Sequence, residues 1–309
     1  MKLFKPKFWD NSKTFILPIL LLPLTILIYL IGSCKKLVIK KHLFSIPIIC
    51  IGNIYLGGTG KTPFSIKLFS ILQNLKKNPV FIRKKYKSFQ DEVSLQKQIG
   101  PVYENNKRTE AIKEAIQNKA DIVILDDGFQ DFSINKNLSI ICFNEKQWVG
   151  NGFLIPSGPL REKLSALKRA DYVIINGKKN IDIEKKIIKK NKLIKIYYTK
   201  YESENISEFK NKKVISFAGI GNPINFFNLL NEHKVNVLEK ISFPDHYKYS
   251  KKDLENLMEK SKRNNAILIT TEKDYFRIDE KYKMNIKYLK IKVEIEKEKE
   301  FIEEIKKII

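Results

Sequence analysis

The sequence predicts an α/β protein that has a doubly wound parallel sheet, a second and smaller α/β domain, and a hydrophobic helix at its amino terminus. Three observations predict this class. Short apolar runs alternate with helical patterns after residue 45, and the alternation resumes after a charged, irregular segment near residue 200. Such alternation is typical of parallel sheets covered by helices on both faces. The third observation is an uncharged stretch from Phe15 to Gly32.

The larger domain is predicted over residues 36–190. Its strands are expected at "IPIICIGN", "PVFIRK", "DIVILDD", "LSIICF" and "DYVIING", and its helices at "TPFSIKLFSILQNLKK" and "RTEAIKEAIQNK". The segment "WVGNGFLIPSGPLRE" is rich in Gly and Pro and too long for a simple turn. Residues 191–213 are predicted to be a hinge, and residues 214–309 the smaller domain, in which strands and helices alternate again.

Residues 1–35 are predicted to associate with a membrane. The stretch from Phe15 to Gly32 approaches the length that a bilayer requires. A spanning helix, an export signal, a helix in one leaflet and a buried core helix all fit, but Pro18 and Pro23 weaken a straight helix. A nucleotide-binding motif follows about twenty residues later, which favours an anchor with the rest of the chain in the cytoplasm. Lysines flank the stretch on both sides, at Lys2, Lys5, Lys7, Lys13, Lys35, Lys36, Lys40 and Lys41.

The stretch "GNIYLGGTGKTP" lies between a predicted strand and a predicted helix. Its glycines let backbone N–H groups converge on phosphate oxygens, Lys61 can reach the terminal phosphates, and the Thr62 hydroxyl suits a magnesium ion. Tyr55 stands where the general P-loop pattern has its first glycine. The context still predicts a phosphate loop, so the larger domain is predicted to be P-loop NTPase-like.

An apolar strand ends in Asp126 and Asp127. Ligands of open α/β sheets bind at the carboxyl ends of the strands, so these carboxylates are expected near the phosphate loop. Carboxylate oxygens are ligands that Mg²⁺ accepts. The pair is therefore predicted to contribute to a metal site.

Six motifs occur together in this order: "GNIYLGGTGKTP", "ILDDGFQ", "NGFLIPSGPLRE", "FAGIGNP", "FPDHYKYS" and "TTEKD". In order and spacing the chain resembles the tetraacyldisaccharide 4'-kinase family, the lipid A 4'-kinases, over nearly its whole length. The resemblance also accounts for Tyr55, because it implies a variant loop with Gly52 and Asn53 upstream. It implies two α/β domains joined by a hinge, with ATP bound in the first.

The resemblance implies transfer of the ATP γ-phosphoryl group to the 4'-hydroxyl of a tetraacyldisaccharide 1-phosphate, a lipid A precursor. The implied cofactors are ATP and Mg²⁺. The expected partners are the acylated lipid and the inner membrane of a Gram-negative bacterium, at its cytoplasmic face; we expect a monomer that binds no nucleic acid.

The resemblance also implies roles for individual residues. Lys61 neutralises the β and γ phosphates. Contacts with ATP are expected from Asn53, Tyr55, Leu56, Gly57, Gly58, Thr59, Gly60, Lys61 and Thr62; metal contacts from Thr62, Asp126, Asp127 and Glu162; and substrate contacts from Lys107, Arg108, Gln130 and Arg161.

The general base implied by the resemblance is Asp91, in Gln90-Asp91-Glu92. A free aspartate is a weak base, so a partner that raises its basicity or takes the proton on is expected. His246 in "FPDHY" is predicted to be that partner. The two residues are expected to come from different domains, so that closure assembles the pair.

Three segments depart from the family pattern. Arg83-Lys84-Lys85-Tyr86 replaces Ser-Arg-Gly-Tyr, Asp131 replaces a histidine, and Asn106-Lys107 replaces Asp-Arg with Arg108 next door. The glycine turn is lost in the first segment, and a possible nucleotide contact in the second.

The sequence gives less support to two other classes of function. A P-loop ATPase or GTPase of another family predicts a switch region or an Asn-Lys-x-Asp motif, neither of which occurs. A non-catalytic basic protein fits 58 Lys and Arg against 34 Asp and Glu, but an AT-rich coding bias produces the same balance. If the charge has a use, Lys35, Lys36, Lys40 and Lys41 are expected to hold the protein on an anionic membrane.

Overall fold

The computed structural model describes residues 6–10, 16–86 and 90–309. These residues form two compact units. The larger unit contains residues 6–10 and 16–85, Ile99–Lys200 and Glu294–Ile309. The smaller unit contains Tyr86, residues 90–98 and Tyr201–Val293.

Helices and strands alternate along most of the chain. The strands are β1 (Ile48–Gly52), β2 (Pro79–Lys84), β3 (Val102–Asn105), β4 (Ile122–Asp126), β5 (Leu138–Asn144), β6 (Tyr172–Asn176), β7 (Lys195–Ser203), β8 (Lys213–Ala218), β9 (Asn236–Ser242), β10 (Ile267–Thr271), β11 (Ile286–Leu289) and β12 (Ile291–Ile295). The α-helices are α1 (Ile16–Leu20), α2 (Leu22–Leu37), α3 (Lys61–Asn74), α4 (Gln90–Lys97), α5 (Arg108–Gln117), α6 (Ile181–Ile188), α7 (Pro223–Glu232), α8 (Lys251–Arg263), α9 (Glu272–Tyr275), α10 (Glu280–Lys283) and α11 (Glu298–Lys306). Short 3-10 helices cover Lys7–Trp9, Leu164–Arg169 and Ile206–Phe209.

The larger unit is built on a sheet with the order β12-β7-β6-β5-β1-β4-β2-β3. Neighbouring strands from β7 to β3 in this order pair in parallel. β1 lies in the middle, and its residue Ile51 pairs with Asp126 at the end of β4. Because parallel strands end at one edge of a sheet, the loops after β1 and β4 meet there. The predicted α/β class with a parallel sheet is confirmed.

The strands at the centre of this sheet are buried along their whole length. β1, β4, β5 and β6 expose no residue, which explains their continuous apolar runs. The ring of Phe301 in α11 packs 5.9 Å from Phe64 in α3 and 5.1 Å from Tyr197 in β7. The closing helix therefore completes the core of the larger unit.

The smaller unit has a four-stranded sheet with the order β11-β10-β8-β9, and all its neighbours pair in parallel. Phe217 and Leu268 lie in its core with Leu254 and Leu257 of α8. Ser250 and Asp253 begin α8 with a reciprocal capping box. Helix α4 packs against α9 and so belongs to this unit.

The compact units differ from the predicted boundaries. The described part of the predicted segment 1–35 belongs to the larger unit, and the predicted hinge 191–213 is divided between the two units. Residues 90–98 fall in the smaller unit although they lie within the predicted range 36–190, and residues 294–309 fall in the larger one although they lie within 214–309. The physical reason is long-range packing, of α4 on α9 and of Phe301 on Phe64. Local sequence patterns do not report such contacts.

The apolar amino-terminal stretch forms two helices, α1 and α2, that meet at Leu21. Pro23 stands in the first turn of α2, where the missing N–H costs nothing. Across the parts of the chain described, no helix combines the length and apolar character needed to cross a bilayer, so a spanning helix is not supported. Phe15, Lys2, Lys5 and Lys13 lie outside the described residues.

Candidate active site

The loop between β1 and α3 has the backbone of a phosphate-binding loop. Gly57 has φ +126° and Gly60 has φ +88°, values that favour glycine because they strain a residue with a Cβ. Lys61 and Thr62 follow at the start of α3. The unpaired N–H groups of a helix amino terminus attract anions.

Asn53 holds the loop in this shape. Its side chain is fully buried, and its amide nitrogen donates to the carbonyl of Tyr55 at 2.5 Å and to Oγ1 of Thr59 at 3.1 Å. The amide of Gln130 in turn donates to the carbonyl of Asn53 at 2.8 Å. Two predicted site residues, Asn53 and Gln130, thus meet at the loop.

Tyr55 is 0% exposed, and its hydroxyl donates to Asp10 at 2.7 Å. Burial and the neighbouring carboxylate raise the pKa of the Tyr55 phenol, which stays protonated. The next residue, Leu56, donates its N–H to the carbonyl of Pro159 at 2.8 Å. The departure from the general pattern therefore anchors the loop to neighbouring segments, while a contact of Tyr55 with ATP stays a prediction.

Asp127 connects several of the predicted residues. Its carboxylate lies 3.6 Å from Nζ of Lys61 and 2.9 Å from Nη1 of Arg161, and its carbonyl accepts from Arg108 at 2.9 Å. Burial opposes ionisation of this carboxyl, but the surrounding cations, Lys61 first, lower its pKa to about 2. Asp127 is therefore an anion at neutral pH, held beside the lysine of the loop.

Asp126 is 1% exposed, and its carboxylate lies 3.1 Å from Nη1 of Arg83. Sequence reasoning treated Arg83 as part of a departure from the family pattern and gave it no role. The structure shows that it forms a buried ion pair with one of the two acids that end β4. A lone arginine at the end of an apolar strand was the available signal, because a charge there requires a partner.

The donors near the loop suit Mg²⁺. Within the described ranges no three His, Cys, Asp or Glu side chains are grouped as in a metal cage. Magnesium in phosphoryl-transfer sites is held by one or two carboxylates together with substrate phosphates. Thr62 and the two aspartates at the end of β4 provide such a set, since Asp127 is ionised.

Glu162 and Lys107 are two further predicted site residues. The carboxylate of Glu162 contacts Nζ of Lys36 at 3.0 Å and Arg169 at 2.7 Å. The metal contact of Glu162 stays a prediction. Lys36 forms an ion pair with Glu162 of the same chain. Lys107 caps α5 directly before Arg108, whose guanidinium pairs with Asp131 at 3.2 Å. Asp131, in the place of a histidine, thus holds the arginine.

Asp91 and His246 form a second cluster. Nδ1 of His246 lies 3.2 Å from Oδ2 of Asp91, whose side chain is 1% exposed. Nζ of Lys273 lies 3.7 Å and Nε of Arg277 lies 3.2 Å from the same oxygen. Nζ of Lys273 also contacts Glu92 at 2.7 Å and Nε2 of His246 at 3.3 Å.

The expectation that closure assembles this pair is wrong, and of the two roles expected of His246, raising the basicity of Asp91 is not supported. Asp91 and His246 belong to one compact unit and are already in contact, because α4 packs on α9, so closure is not needed to form the pair. Burial opposes ionisation of Asp91, but the hydrogen bond from His246 and the charges of Lys273 and Arg277 outweigh it and lower the pKa of Asp91. His246 therefore makes Asp91 a weaker base.

Lys273 and Arg277 are site residues that sequence reasoning missed. Lys273 is part of "TTEKD", which carried the family resemblance without a role of its own, and Arg277 follows four residues later. Their spacing places both on one side of a short helical segment. This spacing was the sequence signal for Lys273 and Arg277, but it does not indicate that Asp91 is their partner.

Comparison with known proteins shows the family of the chain. The profile of the family described as tetraacyldisaccharide-1-P 4'-kinase, LpxK, matches residues 17–98 and 87–309. The chain is similar to a tetraacyldisaccharide 4'-kinase of Pelagibacter ubique (strain HTCC1062), with 41% identity over 314 residues that cover 100% of this chain and 99% of the relative. It is also similar to the tetraacyldisaccharide 4'-kinase of Rickettsia bellii (strain OSU 85-389), with 34% identity over 296 residues and 90% of each chain covered.

Among solved structures, the fold is similar to the "apo" form of LpxK from Aquifex aeolicus in complex with ATP. The TM-score is 0.71 at 24% identity, and the match covers 95% of this chain and 99% of that one. This likeness shows the fold. The profile match and the full-length identity show the family: the chain belongs to the tetraacyldisaccharide-1-P 4'-kinase family.

Proposed function

We propose that the chain transfers the γ-phosphoryl group of ATP to the 4'-hydroxyl of a tetraacyldisaccharide 1-phosphate, as a lipid kinase of lipid A biosynthesis. Family membership supports this reaction. The observation that carries it is the contact of Lys61 with Asp127 at 3.6 Å beside a glycine loop. Such a loop, cation and acid are the parts that P-loop phosphoryl transfer requires.

The larger unit binds ATP. Backbone N–H groups of Gly58 and Gly60 and the first turn of α3 hold phosphate oxygens, and Lys61 neutralises the terminal phosphates. Arg161 and Arg108 lie on either side of Asp127, so positive charge is available where the transferred group develops negative charge.

Mg²⁺, when bound, would supply neutralisation of the phosphate charge. Thr62, Asp126 and Asp127 would hold it. Asp127 contributes a carboxylate that is ionised across the physiological pH range. Asp126 is paired with Arg83 in an interior position.

The smaller unit supplies the proton acceptor, Asp91. A lowered pKa makes it a weak base, but the transition state of phosphoryl transfer is loose and needs little basicity from the acceptor of the proton. Asp91 orients the 4'-hydroxyl and receives its proton late in the transfer. Nδ1 of His246 lies 3.2 Å from Oδ2 of Asp91 and orients that carboxylate, and the proton leaves Asp91 to solvent.

The lipid acceptor and a membrane surface account for the amino-terminal helices. Their side chains are exposed although apolar, with Ile16 at 86% and Leu20 at 72%, an arrangement that marks an interaction site. We place the protein as a monomer on the cytoplasmic face of the inner membrane, with α1 and α2 in one leaflet. Lys35, Lys40 and Lys41 are exposed and are the lysines that face anionic lipid.

The reaction is tested with purified protein, labelled ATP, magnesium and a tetraacylated disaccharide 1-phosphate. We expect label in the lipid and its loss on alkaline phosphatase treatment. Asp91→Asn and His246→Gln are expected to lose most of the activity. Absence of labelled lipid from the unsubstituted protein would refute the function, whereas full activity in both variants would refute only the proposed proton acceptor.

The membrane association is tested separately by sedimentation with vesicles that contain anionic lipid. Replacing Leu24, Leu27 and Ile28 by serine is expected to release the protein at high salt. Replacing Lys35, Lys40 and Lys41 by glutamine is expected to weaken binding at low salt and to leave the bound fraction at high salt unchanged. Unchanged sedimentation of both variants would contradict the proposed surface.

A further inference from the structure

We propose that Arg277 is a positioning residue of the kinase: it fixes the carboxylate of Asp91 against His246 and keeps it ionised. This inference rests on the proposed function, in which Asp91 receives the proton of the lipid hydroxyl. Arg277 contacts that carboxylate. The proposed function gives it no role in the reaction.

Arg277 joins segments that are far apart in the sequence. Its Nε lies 3.2 Å from Oδ2 of Asp91 on α4, and Nη1 donates to the carbonyls of Gly219 at 2.9 Å and Tyr247 at 3.3 Å. Its Nη2 lies 3.1 Å from Oδ1 of Asp274. Tyr247 directly follows His246, so one guanidinium is tied to both sides of the pair.

The guanidinium is itself held in place by Asp274, which is 0% exposed. The carboxylate of Asp274 accepts from the N–H of Gly219 at 3.1 and 3.0 Å, from the hydroxyl of Tyr249 at 2.8 Å and from the hydroxyl of Thr271 at 2.6 Å. A side chain fixed on this many sides loses little further freedom when it orients a neighbour. The guanidinium of Arg277, held by Asp274, therefore sets the direction in which the Asp91 carboxylate points.

Among the described residues, the basic side chains that contact the Asp91 carboxylate all favour its ionised form. The ones that face it are His246, Lys273 and Arg277, while Glu92, Asp245 and Asp274 face those cations rather than the Asp91 oxygen. Burial alone would favour the protonated carboxylic acid. Of the lysine and the arginine that face Asp91, Arg277 has the less exposed side chain, at 10% against 21% for Lys273, so its charge is less screened by solvent.

The chemistry explains why the residue is an arginine. The planar guanidinium presents donors in fixed directions, which allows simultaneous contacts with a carboxylate and with carbonyls, whereas a lysine presents one compact charge. Lysine at this position would keep most of the electrostatic effect and lose the geometry. Arg277→Lys therefore separates the effect of the charge on Asp91 from the orientation of its carboxylate.

The test compares Arg277→Gln, Arg277→Lys and the unsubstituted protein between pH 5.0 and 8.0, with kcat and KM measured for ATP and for lipid. For Arg277→Gln we expect kcat to fall by at least about tenfold at pH 7.5 while both KM values stay within about twofold, because positioning acts in the transition state. Loss of a cation this close raises the pKa of Asp91. The variant should therefore lose activity progressively, relative to the unsubstituted protein, as the pH falls from 7.5 to 5.0.

Arg277→Lys is expected to restore the pH dependence and only part of kcat. Tyr249→Phe is the matched control: it removes one hydrogen bond to Asp274 from the same network without touching Asp91. It is expected to lower thermal stability with the pH dependence of kcat unchanged.

A purely structural role makes a different prediction. In that case Arg277→Gln and Tyr249→Phe would both lower the folded fraction and would share one pH dependence, which would overturn the proposal. An unchanged kcat in Arg277→Gln would overturn it as well. Absence of activity in the unsubstituted protein would instead refute the proposed function, so the two failures are distinguishable.

Discussion

Arg83 lies 3.1 Å from Asp126 in the interior of the larger unit, with the two side chains 9% and 1% exposed. Arg83 belongs to the segment that departs from the family pattern, and Asp126 ends the strand beside β1. The departure thus supplies the counter-ion of a buried acid at the edge where the phosphate loop begins. An ion pair in this position matters because either partner alone would be a buried charge.

Breaking this pair is expected to destabilise the protein. Arg83→Gln leaves Asp126 without its cation, and removal of one partner of a buried pair costs about 3–5 kcal/mol. The free energy of unfolding in urea measures this loss. Arg263→Gln is the control, since Arg263 pairs with Glu259 at the surface with 74% of its side chain exposed, and its loss is expected to stay below about 0.5 kcal/mol. Equal losses in the two variants would contradict the prediction.

Lys61 is expected to be essential for the rate. Lys61→Ala removes the cation that lies beside Asp127 at the loop, and we expect kcat to fall on the order of 10²- to 10³-fold. Lys67→Ala is the control on the same helix, because Nζ of Lys67 pairs with Glu298 at 2.8 Å, away from the loop. Similar rates for the two variants would show that Lys61 does not act on the phosphates.

The contribution of the Asp127 carboxylate to the stability of the protein is expected to be lost at low pH. Its pKa is about 2 in the folded protein against an ordinary 3.8, so its contribution is present above pH 3.8 and is lost as the pH falls toward 2. With the side chain 31% exposed, solvent screening reduces this contribution to about 1 kcal/mol.

Unfolding in urea between pH 7 and pH 2 checks this prediction. The difference in stability between the unsubstituted protein and Asp127→Asn should shrink as the pH falls through this window. A difference that is independent of pH would contradict it.

Tyr55→Phe tests whether the tyrosine anchors the loop or contacts ATP. Removing the hydroxyl breaks the 2.7 Å hydrogen bond to Asp10, which should cost about 1 kcal/mol of stability. We expect the KM for ATP to stay unchanged, since the ring is fully buried. A raised KM at unchanged stability would instead assign the hydroxyl to the nucleotide.

Features that depend on neighbouring residues were predictable from the sequence. The buried strand before the loop, the glycines and Lys61 were predicted together because strand, turn and helix signals are local and of fixed period. The meeting of Lys61 with Asp127 followed from one further rule, that parallel strands end at the same edge. These parts of the site need only the order of elements.

Features that depend on long-range packing were not predictable. Nothing near Asp91 in the sequence indicates that its helix packs on α9. The cations Lys273 and Arg277 were therefore missed, and the lowering of the Asp91 pKa was not predicted. The direction of a pKa shift is the sum of burial and all nearby charges, and it depends on distances of a few ångströms.

The sequence by itself determined the α/β class, the family and the identity of the phosphate loop, because these are written in local periodicity and in short motifs of fixed spacing. Only the tertiary structure decided that Arg83 neutralises Asp126, that Tyr55 anchors the loop through Asp10, and that Asp91 and His246 share one unit. These relationships join residues separated by about forty to more than a hundred positions. Only the folded chain brings such residues within the distance at which hydrogen bonds and ion pairs act.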